Sequence, residues 1–126
     1  MFKIITDTDD FVVISKSAGV NFHDEGQHGS GLFSQVKRYV SQELNIEDLY
    51  PVHRLDKITS GLLIFAKSGE SAKVFGELFK AHKVEKYYLA VSDNKPTKKQ
   101  GLIKGDMAKS RRGMFKLMRS MENPAI

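Results

Sequence analysis

Apolar residues recur along this chain in two periods, and the changes between them mark out the elements. Phe2-Lys3-Ile4-Ile5 and Phe11-Val12-Val13-Ile14 read as short strands, the second continuously apolar and therefore central, with a turn at Asp9-Asp10 between them. Residues 26–31 form a glycine-rich loop. Ser30 is then placed to cap a helix whose apolar positions Leu32, Phe33, Val36, Tyr39, Val40 and Leu44 recur at helical spacing. Leu62 to Ala66 reads as a buried strand, and Ser68 as the cap of a second helix. That helix carries Ala72, Phe75, Leu78, Phe79 and His82 on one face, which makes His82 a partly buried structural residue. Tyr87 to Val91 returns as a strand. Past the Asn94-Lys95-Pro96 turn the chain becomes polar, and Gly101–Gly105 with Phe115–Met118 are expected to pair as edge strands of a hairpin. There is no internal repeat or low-complexity segment, and 126 residues make one domain able to bury a core without staples.

Composition narrows the chemistry. The chain has no cysteine, which excludes disulfides, thiolate zinc sites and a cysteine nucleophile, and fits a reducing compartment. No apolar run approaches the ~20 residues of a membrane span. The opening Met1-Phe2-Lys3-Ile4-Ile5 leads at once to Asp7, Asp9 and Asp10, unlike a signal peptide, so a soluble cytoplasmic protein is expected. Charge is uneven. Residues 1–79 carry 8 basic and 11 acidic side chains, net −3, while residues 80–126 carry 12 and 4, net +8. The basic tract from Lys95 to Arg119 suits phosphate contacts, with a solvated arm as the alternative.

The segment Pro51-Val52-His53-Arg54-Leu55-Asp56-Lys57-Ile58-Thr59-Ser60-Gly61 sets one carboxylate, Asp56, in a turn ahead of the Leu62–Ala66 strand. Arg54 and Asp56 are two apart and can project from one side of an extended loop, where the arginine would favour the ionised acid; such an aspartate can serve as nucleophile or base. The alternative is a structural Arg54–Asp56 ion pair. Elsewhere the chemistry is weaker. The Gly26–Gly31 loop leads to a helix N-terminus but lacks the lysine and spacing of a phosphate loop. His23, Asp24, Glu25 and His28 lack a metal-site spacing, so no metal is expected. His53 is a general base by type only.

His53-Arg54-Leu55-Asp56 followed by Thr59-Ser60-Gly61 resembles the catalytic-loop motif of RluA-type pseudouridine synthases. The resemblance runs from about Phe2 to the C-terminus, taking in Lys16 with Ala18-Gly19 and Lys86-Tyr87-Tyr88-Leu89-Ala90. It implies an α+β fold, a mainly antiparallel mixed sheet flanked by helices, with residues 1–126 as the N-terminal portion of the synthase catalytic domain. It also implies isomerisation of a uridine in ribosomal or transfer RNA to pseudouridine, without cofactor, in a protein that is a monomer when complete. Asp56 is then the catalytic aspartate, Arg54 fills the space left by the flipped base, and Tyr88 stacks on that base in an apolar pocket with Leu55 and Leu62. Lys86, Lys109, Arg111 and Arg112 join Arg54 in binding RNA; His53, Leu55, Thr59, Ser60 and Gly61 shape the loop. Two departures stand out. Ser17 replaces the proline usual after the early lysine, and nothing after Tyr88 matches the later family motif that supplies a basic partner for the aspartate. The chain is therefore expected to be inert alone, which keeps open a second reading as an RNA-binding remnant without turnover. A carboxylate-dependent glycoside hydrolase would need a second acid, and none is evident.

Overall fold

The computed structural model describes residues 1–124. The chain divides into two compact units, Met1–Tyr87 and the residues from Tyr88 onward.

The first unit is built on four strands, β1 (Phe2–Asp7), β2 (Phe11–Lys16), β3 (Tyr50–Pro51) and β4 (Gly61–Ala66), with helices α1 (Leu32–Leu44) and α2 (Gly69–Lys80). The strand order is β1-β2-β4-β3 and every neighbouring pair is antiparallel. β2 is central, as its apolar run predicts. Its side chains alternate, with Val12, Ile14 and Lys16 buried and Phe11, Val13 and Ser15 half-buried. The buried set meets Leu63 and Phe65 of β4 and Leu32, Val36 and Val40 of α1, forming the core of the unit. Phe11 alternates to the other face and meets Phe75 of α2 edge to face, ring centroids 5.3 Å apart. The two helices thus cover opposite faces of the sheet.

Both helix starts have identifiable chemistry. Ser68 caps α2 as expected, its hydroxyl accepting from the Ser71 N–H at 3.1 Å. α1 differs, because its N-cap is Gly31 and not Ser30. The chain before the helix doubles back so closely that a Cβ on residue 31 would run into the His23 backbone. In return, the carbonyls of Asn21 and Phe22 accept the first-turn N–H groups of Leu32 and Phe33 at 2.9 and 3.1 Å. With the first turn capped by backbone, Ser30 instead pairs its hydroxyl with the Glu25 backbone.

Two expectations fail nearby. α2 stops at Lys80, and His82 lies beyond it in the left-handed region (φ 53°), its N–H bonded to the Phe79 carbonyl while the Lys83 N–H reaches Leu78. This cap turns the chain away from the apolar stripe, so His82 is exposed and not part of the packed face. The strand expected over Tyr87–Val91 does not form, and Leu89 and Val91 are fully exposed. A strand holds only by pairing, and no described segment pairs with this one.

In the second unit, β5 (Met107–Lys109) pairs antiparallel with β6 (Phe115–Leu117) across a short helical turn at Arg111–Gly113. The expected hairpin exists, but its first strand is 107–109 and not Gly101–Gly105. Gly105 lies against the Met118 carbonyl, where a Cβ has no room. Asp106 then pins the register: its N–H donates to the Ser120 carbonyl, its own carbonyl accepts from the Met118 N–H, and its carboxylate accepts from the N–H groups of Glu122 and Asn123.

Candidate active site

Between β3 and β4 the chain makes an extended run and then a turn. Pro51 has no N–H to donate and ends the short pairing of β3 with β4. His53 then takes over: its Nε2 accepts the Ile64 N–H of β4 at 3.0 Å, and its ring lies 5.0 Å from that of Phe79. Leu55 turns inward and is buried in the core, while Arg54 and Asp56 on either side of it are exposed. The Thr59 N–H closes a turn onto the Asp56 carbonyl at 3.1 Å. Gly61 (φ 141°) makes the re-entry into β4 that side-chain-bearing residues rarely adopt. Asp56 therefore stands on a short turn anchored at both ends to one strand. No ion pair joins it to Arg54, so the structural-pair alternative has no support here.

The strongest hold on this turn comes from a residue whose role the sequence pattern did not reveal. Lys16 is 1% exposed, and its Nζ donates to the carbonyls of Ser17, Val20 and Lys57 at 3.0, 3.2 and 3.1 Å. The Lys57 carbonyl also accepts the Gly19 N–H at 2.7 Å. The residue next to Asp56 is thus tied by two donors, one at the end of β2 and one in the loop that follows it. Burial lowers the Lys16 pKa from its ordinary value, and the nearby Asp56 charge acts in the opposite direction. The parity of β2 was the available signal: a lysine two residues past Ile14 points inward with it. Ser17, where the resembled family has proline, donates its N–H to the Met1 carbonyl at 2.9 Å, a bond that proline cannot make. Lys16→Met is expected to cost about 1–3 kcal/mol, since it leaves carbonyls without their donor. Hydrogen exchange should show lost protection first at Gly19 and Thr59, with the β2–β4 ladder retained; uniform loss would make Lys16 a general core residue.

His53 can accept from Ile64 only while Nε2 is unprotonated. Burial first, and the Lys86 charge second, lower its pKa from the ordinary value of about 6.5. The unfolded chain therefore takes up this proton more readily than the folded one, so stability is full above about pH 6.5 and falls as pH drops through the folded value. Thermal melts between about pH 7.5 and 5 should show a declining Tm, and His53→Gln should flatten that decline. Equal slopes in the two proteins would refute it.

The glycine loop bears on the phosphate-loop idea. The Asp24 carboxylate accepts from the Gly29 and Gly31 N–H groups, both at 2.7 Å, so the donors available for a phosphate already hold an anion of the chain. These bonds, Gly29 first, lower the Asp24 pKa. Among the described residues no three His, Cys, Asp or Glu side chains converge as metal ligands. The Lys57 ammonium sits 3.8 Å from Glu25, a solvent-exposed pair linking this loop to the turn.

Of the other expected site residues, Thr59 is half-buried, and Ser60 and Lys86 are exposed. Leu62 is 58% exposed, and with Leu55 buried the two do not line a common closed pocket. Tyr88 opens the second unit in irregular backbone, 61% exposed. Lys109, Arg111 and Arg112 are exposed on and around the β5–β6 turn of that unit.

Residues 10–126 match the family described as RNA pseudouridylate synthase. An uncharacterized RNA pseudouridine synthase of Haemophilus influenzae is 48% identical over 124 residues, covering 98% of this chain and 53% of its own length. The ribosomal large subunit pseudouridine synthase C of Rickettsia bellii is 38% identical over 114 residues, 90% of this chain and 37% of the relative. Among solved structures, human RNA pseudouridylate synthase domain containing 4 superimposes with a TM-score of 0.73 at 24% identity, covering 97% of this chain and 49% of that one. This last likeness is one of fold, and it agrees with the α+β, antiparallel reading. The chain spans about half the length, or less, of the relatives it matches.

Proposed function

The chain belongs to the RNA pseudouridylate synthase family, in its RluA-type branch, and from that premise we propose that it supplies the Asp56 turn of an enzyme that isomerises a uridine in ribosomal or transfer RNA to pseudouridine. The observation that supports this reading best is the turn itself. It offers one exposed carboxylate, beside an exposed arginine, on backbone held by Lys16, Gly19 and His53. A group meant to meet an external substrate is worth such anchoring, because a reacting atom misplaced by about 1 Å can cost roughly 10²-fold in rate.

A paired uridine cannot expose its glycosidic bond, so the nucleotide is extruded at a cost of a few kcal/mol, and Arg54 fills the gap it leaves. Asp56 initiates cleavage of the bond between C1′ and N1. The freed uracil turns, a bond forms between C1′ and C5, the C5 proton departs and N1 regains one. The product is an isomer of the substrate, so neither oxidant nor cofactor is needed. Tyr88 is the candidate for stacking on the flipped base, and the basic residues of the second unit for holding phosphates. Among the described residues no helix is long and apolar enough to cross a membrane. A cytoplasmic location, and a monomeric state for the complete protein, complete the proposal.

The test is incubation with unmodified ribosomal and transfer RNA transcripts, scoring pseudouridine by carbodiimide-adduct primer extension. Site-specific product supports the assignment. RNA binding without product favours the non-catalytic reading, for which the exposed basic hairpin is the supporting observation.

A further inference from the structure

On the reading that the basic tract contacts RNA, the β5–β6 hairpin carries more than charge. Residues 104–119 hold six basic side chains and one acidic, so the net +5 of the whole chain resides there. The single acid, Asp106, has its carboxylate occupied by the N–H groups of Glu122 and Asn123 at 3.0 and 2.7 Å, which removes it as a competitor for phosphate. The strand register sets Lys109 opposite Phe115 and Met107 opposite Leu117 on one face, with Ala108 opposite Lys116 on the other. Phe115 is 59% exposed, although phenylalanine is among the side chains most often buried. The connecting turn is held by the Ser110 N–H to the Met114 carbonyl at 2.7 Å, and by left-handed backbone at Arg112 and Gly113. Arg111 and Arg112 are therefore kept at the tip, a few residues from the ring.

We infer that this hairpin is a binding site for single-stranded RNA, in which a base stacks on Phe115 while Lys109, Arg111 and Arg112 hold the flanking phosphates. An exposed ring beside cations is the combination that single-strand binders use, because every base has a π face and every nucleotide a phosphate. A duplex has its bases already stacked and can engage only the cations. The site thus selects unpaired segments, which a phosphate-only surface does not do.

The test uses the 126-residue chain, a labelled decauridylate and a labelled RNA duplex. Phe115→Leu is expected to weaken decauridylate binding by about 5- to 150-fold, the range for losing one stacked base, with the duplex affinity and the salt dependence unchanged. Phe115→Trp should bind at least as tightly as the native chain. Lys109→Glu combined with Arg111→Glu and Arg112→Glu should weaken both probes and flatten the salt dependence. Native decauridylate affinity in Phe115→Leu, with the triple variant impaired, would overturn the stacking site and leave the phosphate reading standing; no loss in either would overturn both. Should Phe115→Leu disorder the hairpin, seen as lost protection of the Ser110 amide, the tryptophan variant decides: weaker binding than native refutes stacking. A dimer broken by Phe115→Leu at unchanged RNA affinity would mark the face as a contact between copies and refute the inference.

Discussion

Asp56→Asn is expected to abolish pseudouridine formation by the protein carrying this chain, on the order of 10⁴-fold or more in kcat, while RNA affinity stays within a few-fold. The large term is chemical, for removal of a group that acts in bond breaking has losses of that size. The small term follows from the structure. The Asp56 side chain is exposed, and the turn is closed by its backbone carbonyl, which asparagine keeps. The variant should therefore fold normally and bind phosphates normally. Single-turnover assays with matched binding titrations make the check. Appreciable turnover by the asparagine variant would remove Asp56 from the chemistry, whatever else the protein does.

The largest effect on folding is expected at Phe65. Its side chain is fully buried, and its ring packs near-parallel against those of Phe22 at 6.2 Å and Phe33 at 6.0 Å, which also meet each other at 5.9 Å. One residue thus joins β4, α1 and the loop that caps α1. Phe65→Ala removes a ring from the centre of a small core, a change of about 3–5 kcal/mol against a whole-domain stability of roughly 5–15 kcal/mol. Urea unfolding should lose most or all of its native baseline. Leu62→Ala, on an exposed position of the same strand, serves as the control and should shift the midpoint little. Comparable losses in both would show that β4 is not held by this core.

Near-neighbour patterns were readable without the structure wherever the cause is local. The apolar run of β2, the Ser68 cap and the stripe Ala72, Phe75, Leu78 and Phe79 depend on residues within a turn or two of each other, so spacing reveals them. The order His53-Arg54-Leu55-Asp56 likewise pointed to Asp56 as the candidate carboxylate, and this residue is exposed on an anchored turn. Leu55 facing in, with Arg54 and Asp56 facing out, follows from extended backbone alone.

What the tertiary structure decided is whatever needs a partner distant in sequence. Ser30 is a good cap by type, yet α1 is capped by carbonyls of a loop that folds back on it, and only that fold puts Gly31 where nothing larger fits. Tyr87–Val91 has strand propensity, but pairing is a property of two segments, and no described segment meets it. The two-residue β3 is too short to show a period and exists through β4. Lys16 is the sharpest case. Its inward parity was legible, but a buried ammonium is tolerable only where acceptors converge on it, and the third acceptor, Lys57, is 41 residues away in sequence. The identity of the candidate carboxylate was therefore written in the motif, while the rigidity of the turn that carries it arises from contacts that sequence spacing cannot express.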